Sequence, residues 1–407
     1  MRTARATELE SMPSSAPSTP QAHANEQPRL DALYLLNCLS IGGSERKVVR
    51  LVNRLTERGT RVGIAYLNGP ETLAPLLSSN VPRWHLQRKG KFSFAAARRL
   101  AAVVESTRCQ TLFTVNTYPT LYAAAARTLL GKRSPRLIAL VNTTDFGAGQ
   151  RWRQSLYKHV LGRFDHVVYG CRAQRESWLA AAEEGQHRSS VIYNGVDLTE
   201  FDGVAPGESV QALRLRFGFG QRAFIIGSVG RLAAEKNQQS LIDALVVLRE
   251  RGIDARLLLV GEGRMRAALE RHAATLGMSE CVTFTGALHD LRPALAVMDV
   301  FVLPSLYVET FSNAALEAMA MGKAVILSDV GGAAEMVRDG IDGRVLLRDD
   351  LQRALPEALH AFALDRQLTA RAGLAARQRV EARFSFDSMV AEYEQLIGRA
   401  PDGDGRN

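Results

Sequence analysis

The chain has 407 residues, 46% of them hydrophobic and 23% charged, an ordinary globular composition in a length that exceeds one average core and predicts two domains. Four separated cysteines (Cys38, Cys109, Cys171, Cys281) form no C-x-x-C pair, which argues against a disulfide framework or a zinc site and fits a reducing cytoplasm. The net charge of +9 is uneven: residues 1–199 carry 27 Lys and Arg against 14 Asp and Glu, and residues 200–407 carry 24 against 28, so the first half is expected to meet an anionic surface or partner.

Residues 1–28, with "SMPSSAPSTPQ", lack the apolar centre of a secretory signal and read as a disordered tail. Apolar stretches such as "TLYAAAA" and "VFVLPSLYV" fall short of a membrane span, so a cytoplasmic protein is expected. From Arg29 strand-like and helix-like runs alternate: "LDALYLLNCL", "SERKVVRLVNRLTERG", "RVGIAYL", then "TLFTVN", "LIALVN" and "HVVYGC". This alternation predicts a parallel α/β sheet covered on both faces. The aperiodic, Gly- and Asp-rich stretch 193–211 reads as a linker, after which "AFIIGSVGRL", "QSLIDALVVLRERG", "ARLLLVGEG", "VTFTG", "VFVLPS" and "AVILSD" restart the pattern. The expected architecture is two doubly wound α/β domains facing a cleft, with ligands at the carboxyl ends of the strands.

Several segments carry chemistry. "SIGGSERKVV" places Gly42 and Gly43 where a strand gives way to a helix; glycine lets a phosphate or sugar approach the backbone, although turns use glycine pairs for other reasons too. "SVGRLAAEKN" puts Arg231 and Lys236 after a strand's carboxyl end, where two cations suit a diphosphate and equally suit a basic surface. In "VGEGRMR", Gly261 and Gly263 begin a G-x-G-x-x-G pattern whose third place is Arg266, which argues against a nicotinamide fold and leaves a tight turn or a nucleotide contact.

"ETFSNAALEAMA" (309–320) holds two glutamates eight positions apart. One continuous helix would set them about 80° apart around its axis. A helix starting near Ser312, a favoured N-cap, leaves Glu309 in the preceding loop and Glu317 a little over one turn inside, with the N–H groups of Phe311, Ser312 and Asn313 free to face a phosphate between them.

Together, "GGSE", "VIYNGVDLTEF", "GRLAAEKN", "VGEG", "PSLYVETFSNAALEAMAMGKAVILSDVGGAAEMV" and "DGIDGRVL" resemble the family 4 retaining glycosyltransferases of the GT-B fold, over about residues 30–397. The resemblance implies an acceptor-side Rossmann-like domain over 29–197, a donor domain over 198–382, a terminal helix over 383–398 crossing back, and a flexible tail over 399–407. It implies that Glu309 binds donor-sugar hydroxyls, Glu317 the ribose, and Arg231 and Lys236 the diphosphate. Gly43 and the Phe311–Asn313 amides would hold phosphate or sugar. The donor would be a nucleoside diphosphate sugar, UDP- or GDP-linked, and the acceptor a glycan or lipid-linked molecule of cell-surface polysaccharide or glycolipid assembly. Catalysis would need neither protein nucleophile nor cofactor, since the leaving phosphate can take the acceptor's proton on the same face. No metal is expected: the D-x-D of Asp402 and Asp404 lies in a Gly-rich tail. Two departures stand out. Asn142, followed by Thr143 and Thr144, occupies the place of the family's usual histidine, and Thr310 replaces a usual glycine. A non-catalytic nucleotide-sugar-binding protein is the second reading.

His159, His166 and His289 lack partners at ligand spacing and read as structural. Segments 83–100 and 151–164 mix Arg and Lys with Trp84, Phe92, Phe94, Trp152, Tyr157 and Phe164, a pattern suited to an anionic membrane surface. Elsewhere the aromatics are not interleaved with charge as a nucleic-acid stacking platform requires, so no nucleic-acid partner is expected.

Overall fold

A computed structural model describes residues 29–398 apart from 41, 143–150, 181–187, 206 and 308. The two tails, Thr143 and Thr144 therefore lie outside the described residues, as do the side chains of 151–154.

In the first half, β1 (Ala32–Leu36), β2 (Val62–Tyr66), β3 (Arg83–His85), β4 (Thr111–Val115), β5 (Arg136–Val141), β6 (His166–Tyr169) and β7 (Ser189–Val191) form a parallel sheet in the order β3-β2-β1-β4-β5-β6-β7. Helices α1 (Gly43–Glu57), α2 (Phe94–Ser106), α3 (Thr117–Leu130), α4 (Arg151–Leu161) and α5 (Arg172–Ala180) connect them. Every residue of β1 is buried, because both faces of the sheet are covered. Ala32, Tyr34 and Leu36 enter one core while Leu33 and Leu35 enter the other, the period-two alternation of a strand.

The second half repeats the plan. Strands β8 (Phe224–Val229), β9 (Ala255–Val260), β10 (Val282–Gly286), β11 (Val300–Leu303), β12 (Ala324–Ser328) and β13 (Gly343–Leu346) run parallel in the order β10-β9-β8-β11-β12-β13. Their helices are α6 (Val210–Arg216), α7 (Gln239–Glu250), α8 (Arg266–Thr275), α9 (Arg292–Val297), α10 (Asn313–Ala320), α11 (Ala333–Met336), α12 (Leu351–Leu364) and α13 (Arg366–Arg383). In both sheets the order reverses at the first strand, and the carboxyl ends beside such a reversal are where open α/β sheets take ligands.

The halves are joined by two adjacent crossings. Val196 N donates to Phe384 O at 3.0 Å and Phe386 N to Val196 O at 2.9 Å. A Cβ on Gly195 would lie 2.5 Å from Ser385 O, so this close pairing requires glycine. Helix α14 (Phe386–Gly398) then returns to the first half, burying Phe386, Met389, Val390, Tyr393 and Leu396 in the core that contains Tyr34. Arg54 of α1 and Arg58, its C-cap, hold Asp387 at 2.6 and 2.8 Å, and Arg58 also holds Glu394 at 2.9 Å.

Two expectations need adjustment. The aperiodic stretch ends earlier than 211, because Ser209 caps α6 by accepting from Ala212 N. His166, read as structural, lies buried in β6 against Ser190 Oγ at 2.9 Å. Tyr157 and Phe164 are buried in the first-half core, so they cannot face a lipid surface; Phe92 and Phe94 are 80% and 67% exposed. Among the described residues no helix is long and apolar enough to cross a membrane.

Candidate active site between the two sheets

A cleft of about 610 Å³ opens between the two halves. It is lined by Gly42, Gly43, Asn142, Arg231, Lys236, Gly261, Glu309, Phe311, Ser312, Asn313 and Glu317, all but one of the candidate donor-site residues named from the sequence. Gly263 is the exception. A Cβ there would lie 2.1 Å from Leu232 O, so this glycine lets the loop after β9 pack against the loop after β8. Gly261 lines the cleft at φ +138°, and a Cβ on it would lie 2.0 Å from Gly230 O.

Ser312 is the N-cap of α10, accepting from Ala315 N at 3.3 Å. The first N–H groups of that helix therefore point toward the cleft without intrahelical acceptors, a site for anionic oxygen. Gly42 is the N-cap of α1 and Gly43 its first residue, brought against α10 by a bond from Asn313 Nδ2 to Gly43 O at 3.4 Å. Phe311 packs on Tyr193 and Phe384, with ring centroids at 4.9 and 5.1 Å, and this fixes the loop that presents Glu309.

Lys236, on a single 3₁₀ turn after β8, forms a direct ion pair with Glu309, which also accepts from Ser305 Oγ at 3.3 Å. Arg231 pairs with Glu235 at 2.6 Å while remaining 68% exposed, so its guanidinium can turn toward a ligand. Glu317 makes no ion pair among the described residues. Burial pushes its carboxyl up to about 7; Arg50 and Arg46 across the cleft oppose that rise, and Glu200 adds to it.

Two residues of this site escaped the sequence reading. Lys47, in the first turns of α1, is buried and donates to Asn142 Oδ1 at 3.3 Å and Asn194 Oδ1 at 3.0 Å. Asn194 in turn donates from Nδ2 to Phe311 O at 2.7 Å, and Thr310 Oγ1 donates to Asn142 O at 3.0 Å. These bonds tie the loop carrying Glu309 to the opposite half. Burial alone lowers the Lys47 ammonium to about 8. The available signal was periodicity: Lys47 occupies the same helical stripe as the buried Leu51 and Leu55, where an apolar residue belongs.

Two doubly wound domains meeting at such a cleft, bridged by paired crossings and a returning C-terminal helix, define the GT-B class of fold. Comparison with known proteins places the chain within it. A family model described as Glycosyltransferase Family 4 matches residues 41–200, and one described as Glycosyl transferases group 1 matches 223–365. The chain belongs to the family 4 glycosyltransferases. It is 34% identical to a GDP-mannose-dependent alpha-mannosyltransferase of Mycolicibacterium smegmatis, over 62% of this chain and 63% of that protein. It is 32% identical to a GDP-mannose-dependent alpha-(1-6)-phosphatidylinositol monomannoside mannosyltransferase of Mycobacterium tuberculosis, over 50% and 54%. The matches thus span less than two thirds of these relatives' lengths. HepE of Anabaena, solved in complex with UDP, shares the fold with a TM-score of 0.78 at 20% identity, over 90% of this chain and 99% of that one.

Proposed function

We propose that this protein is a retaining glycosyltransferase that moves a sugar from a nucleoside diphosphate sugar to a glycan or lipid-linked acceptor. The observation that carries the reading is the convergence, in one cleft, of Glu309, Glu317, Lys236, Arg231 and the N-terminus of α10. On this reading the diphosphate lies against the α10 amides, Arg231 and Lys236, while Glu317 accepts from the ribose hydroxyls. Glu309 and Asn142 receive the transferred sugar. As the bond from the anomeric carbon to the phosphate oxygen breaks, negative charge grows on the diphosphate, where fixed cations and amides stabilise it without reorganising. The acceptor oxygen bonds to the anomeric carbon on the same face and passes its proton to the departing phosphate, so configuration is retained.

The named relatives make GDP-mannose the first donor to test, and the HepE complex adds UDP-sugars. A lipid-linked acceptor would place the protein peripherally at a membrane, with the first half facing it. The test is release of nucleoside diphosphate from GDP-mannose or UDP-glucose with an acceptor lipid extract, followed by assignment of the product's anomer. An inverted anomer would sink retention. Donor binding without turnover would favour the non-catalytic reading, and absence of both would overturn the proposal.

A further inference from the structure

We propose that the cleft holds a second anionic group, apart from the donor's diphosphate, on Lys47 and Asn142: a carboxylate or phosphate ester carried by the transferred sugar or by the acceptor. The inference rests on the donor-site reading above and names a substrate feature that reading leaves open.

Lys47 is 9% exposed and lines the cleft, yet both of its partners are neutral amide oxygens and no carboxylate lies within ion-pair distance among the described residues. Nearby Glu309 is already engaged by Lys236. A buried ammonium without an anion is unfavourable unless a ligand supplies one. Asn142 provides a second, independent observation. Its Oδ1 must face Lys47, because an ammonium only donates, and this turns Nδ2 away; that Nδ2 is buried and has no partner among the described residues. A cation and an orphaned amide donor therefore stand side by side, and one anionic, acceptor-rich group can satisfy both. The two residues belong to α1 and the end of β5, in the first half, whereas the cations assigned to the diphosphate come from the second. The two sets of groups therefore line one cleft from different halves of the chain.

The experiment uses the full chain and measures thermal stabilisation by glucuronate, glucose 6-phosphate and glucose, with and without saturating GDP or UDP. Both anionic sugars are expected to stabilise the nucleotide-bound protein and glucose is not. Lys47→Met is expected to weaken that binding at least about tenfold, the loss of one charge-assisted contact. Asn142→Leu, which removes the orphaned donor but leaves the cation, should weaken it less, and provides a second variant should Lys47→Met misfold. Equal stabilisation by glucose, an unchanged effect in Lys47→Met, or erasure of the effect by bound nucleotide would overturn the proposal; in the last case Lys47 serves the diphosphate. Faster nucleotide release from UDP-glucuronate than from UDP-glucose assigns the anion to the transferred sugar. Equal release, with anionic sugars still binding beside the nucleotide, assigns it to the acceptor. If neither nucleotide binds, the donor-site reading fails, while the nucleotide-free arm still reports on Lys47.

Discussion

Lys236 and Glu309, 73 positions apart, meet in a direct ion pair with both side chains less than one-fifth exposed. The pair forms because β8 and β11 are neighbours in the sheet, so the turn after one strand and the loop after the other leave the same edge. It keeps each charge neutralised while the cleft is empty. In the proposed donor site a donor would share the pair, its phosphate taking part of the ammonium and its sugar hydroxyls part of the carboxylate.

Lys236→Met should therefore act twice. It leaves a largely buried carboxylate without its cation, and a loss of about 2 kcal/mol of stability is expected. The double variant with Glu309→Gln should recover most of that loss, since no charge remains uncompensated. Donor binding is expected to fall at least about tenfold in both. Urea unfolding of the four proteins measures the coupling, and strictly additive losses would show the pair contributes none.

Glu317 predicts a pH dependence. Its carboxyl stands at about 7 against an ordinary 4.5, so the native state holds a proton that the unfolded state has released. Stability from this group is present below pH 4.5 and is lost as pH rises through 7. Glu317→Gln should raise stability at pH 8, on the order of 2 kcal/mol, and change little at pH 4. Donor affinity should move the other way. A carboxylate accepts from ribose hydroxyls better than a carboxylic acid does, so wild-type affinity should rise through pH 7 and Glu317→Ala should lose at least about tenfold. Donor titrations at pH 6 and 8 check it, and a flat wild-type profile contradicts the assignment.

Local chemistry was legible in the sequence wherever one short segment contained the whole cause. Ser312 announces the start of α10 and so separates a loop glutamate from a helical one; the glycine pair announces the start of α1. What stayed hidden depends on strand order. Lys47 meets partners 95 and 147 residues away. Gly263 fits a tight turn and a nucleotide contact equally well in the sequence, because its use, letting two loop backbones approach, leaves no trace in neighbouring residues. In 151–164 the basic-aromatic pattern was read as a surface, whereas Tyr157 packs edge-on against Trp178.

Activity is expected to persist without added divalent metal. Arg231, Lys236 and the N-terminus of α10 line the cleft, and in the proposed donor site they would stabilise the charge that develops on a diphosphate. Among the described residues no three His, Cys, Asp or Glu side chains come together as a ligand set. Turnover should survive EDTA; loss that magnesium or manganese restores would show that the protein's own cations are insufficient.

The last prediction concerns the loop between β3 and α2. Lys89, Lys91 and Phe92 are exposed there, as is Phe94, the first residue of α2. Arg88, which the sequence pattern would include, is half-buried over the Tyr118 ring at 4.5 Å and belongs to the fold instead. The loop follows the carboxyl end of a parallel strand, so it leaves the same edge of the sheet as the loop from β1 to α1 that borders the cleft. An anionic bilayer touching this edge would take the two phenyl rings into its interface and the two ammonium groups among its headgroups, each cation adding about 1 kcal/mol. A lipid-linked acceptor could then enter the cleft without leaving the surface. Vesicles containing anionic phospholipid should bind the protein at low ionic strength and release it as salt rises. The Lys89→Glu, Lys91→Glu pair should weaken binding roughly tenfold or more through lost and reversed charge. Phe92→Ser with Phe94→Ser should weaken it further while leaving its salt dependence unchanged, because the rings contribute burial and not charge. Co-sedimentation across a salt series measures all three proteins. Binding that ignores both pairs of substitutions would remove this edge from consideration as a membrane contact.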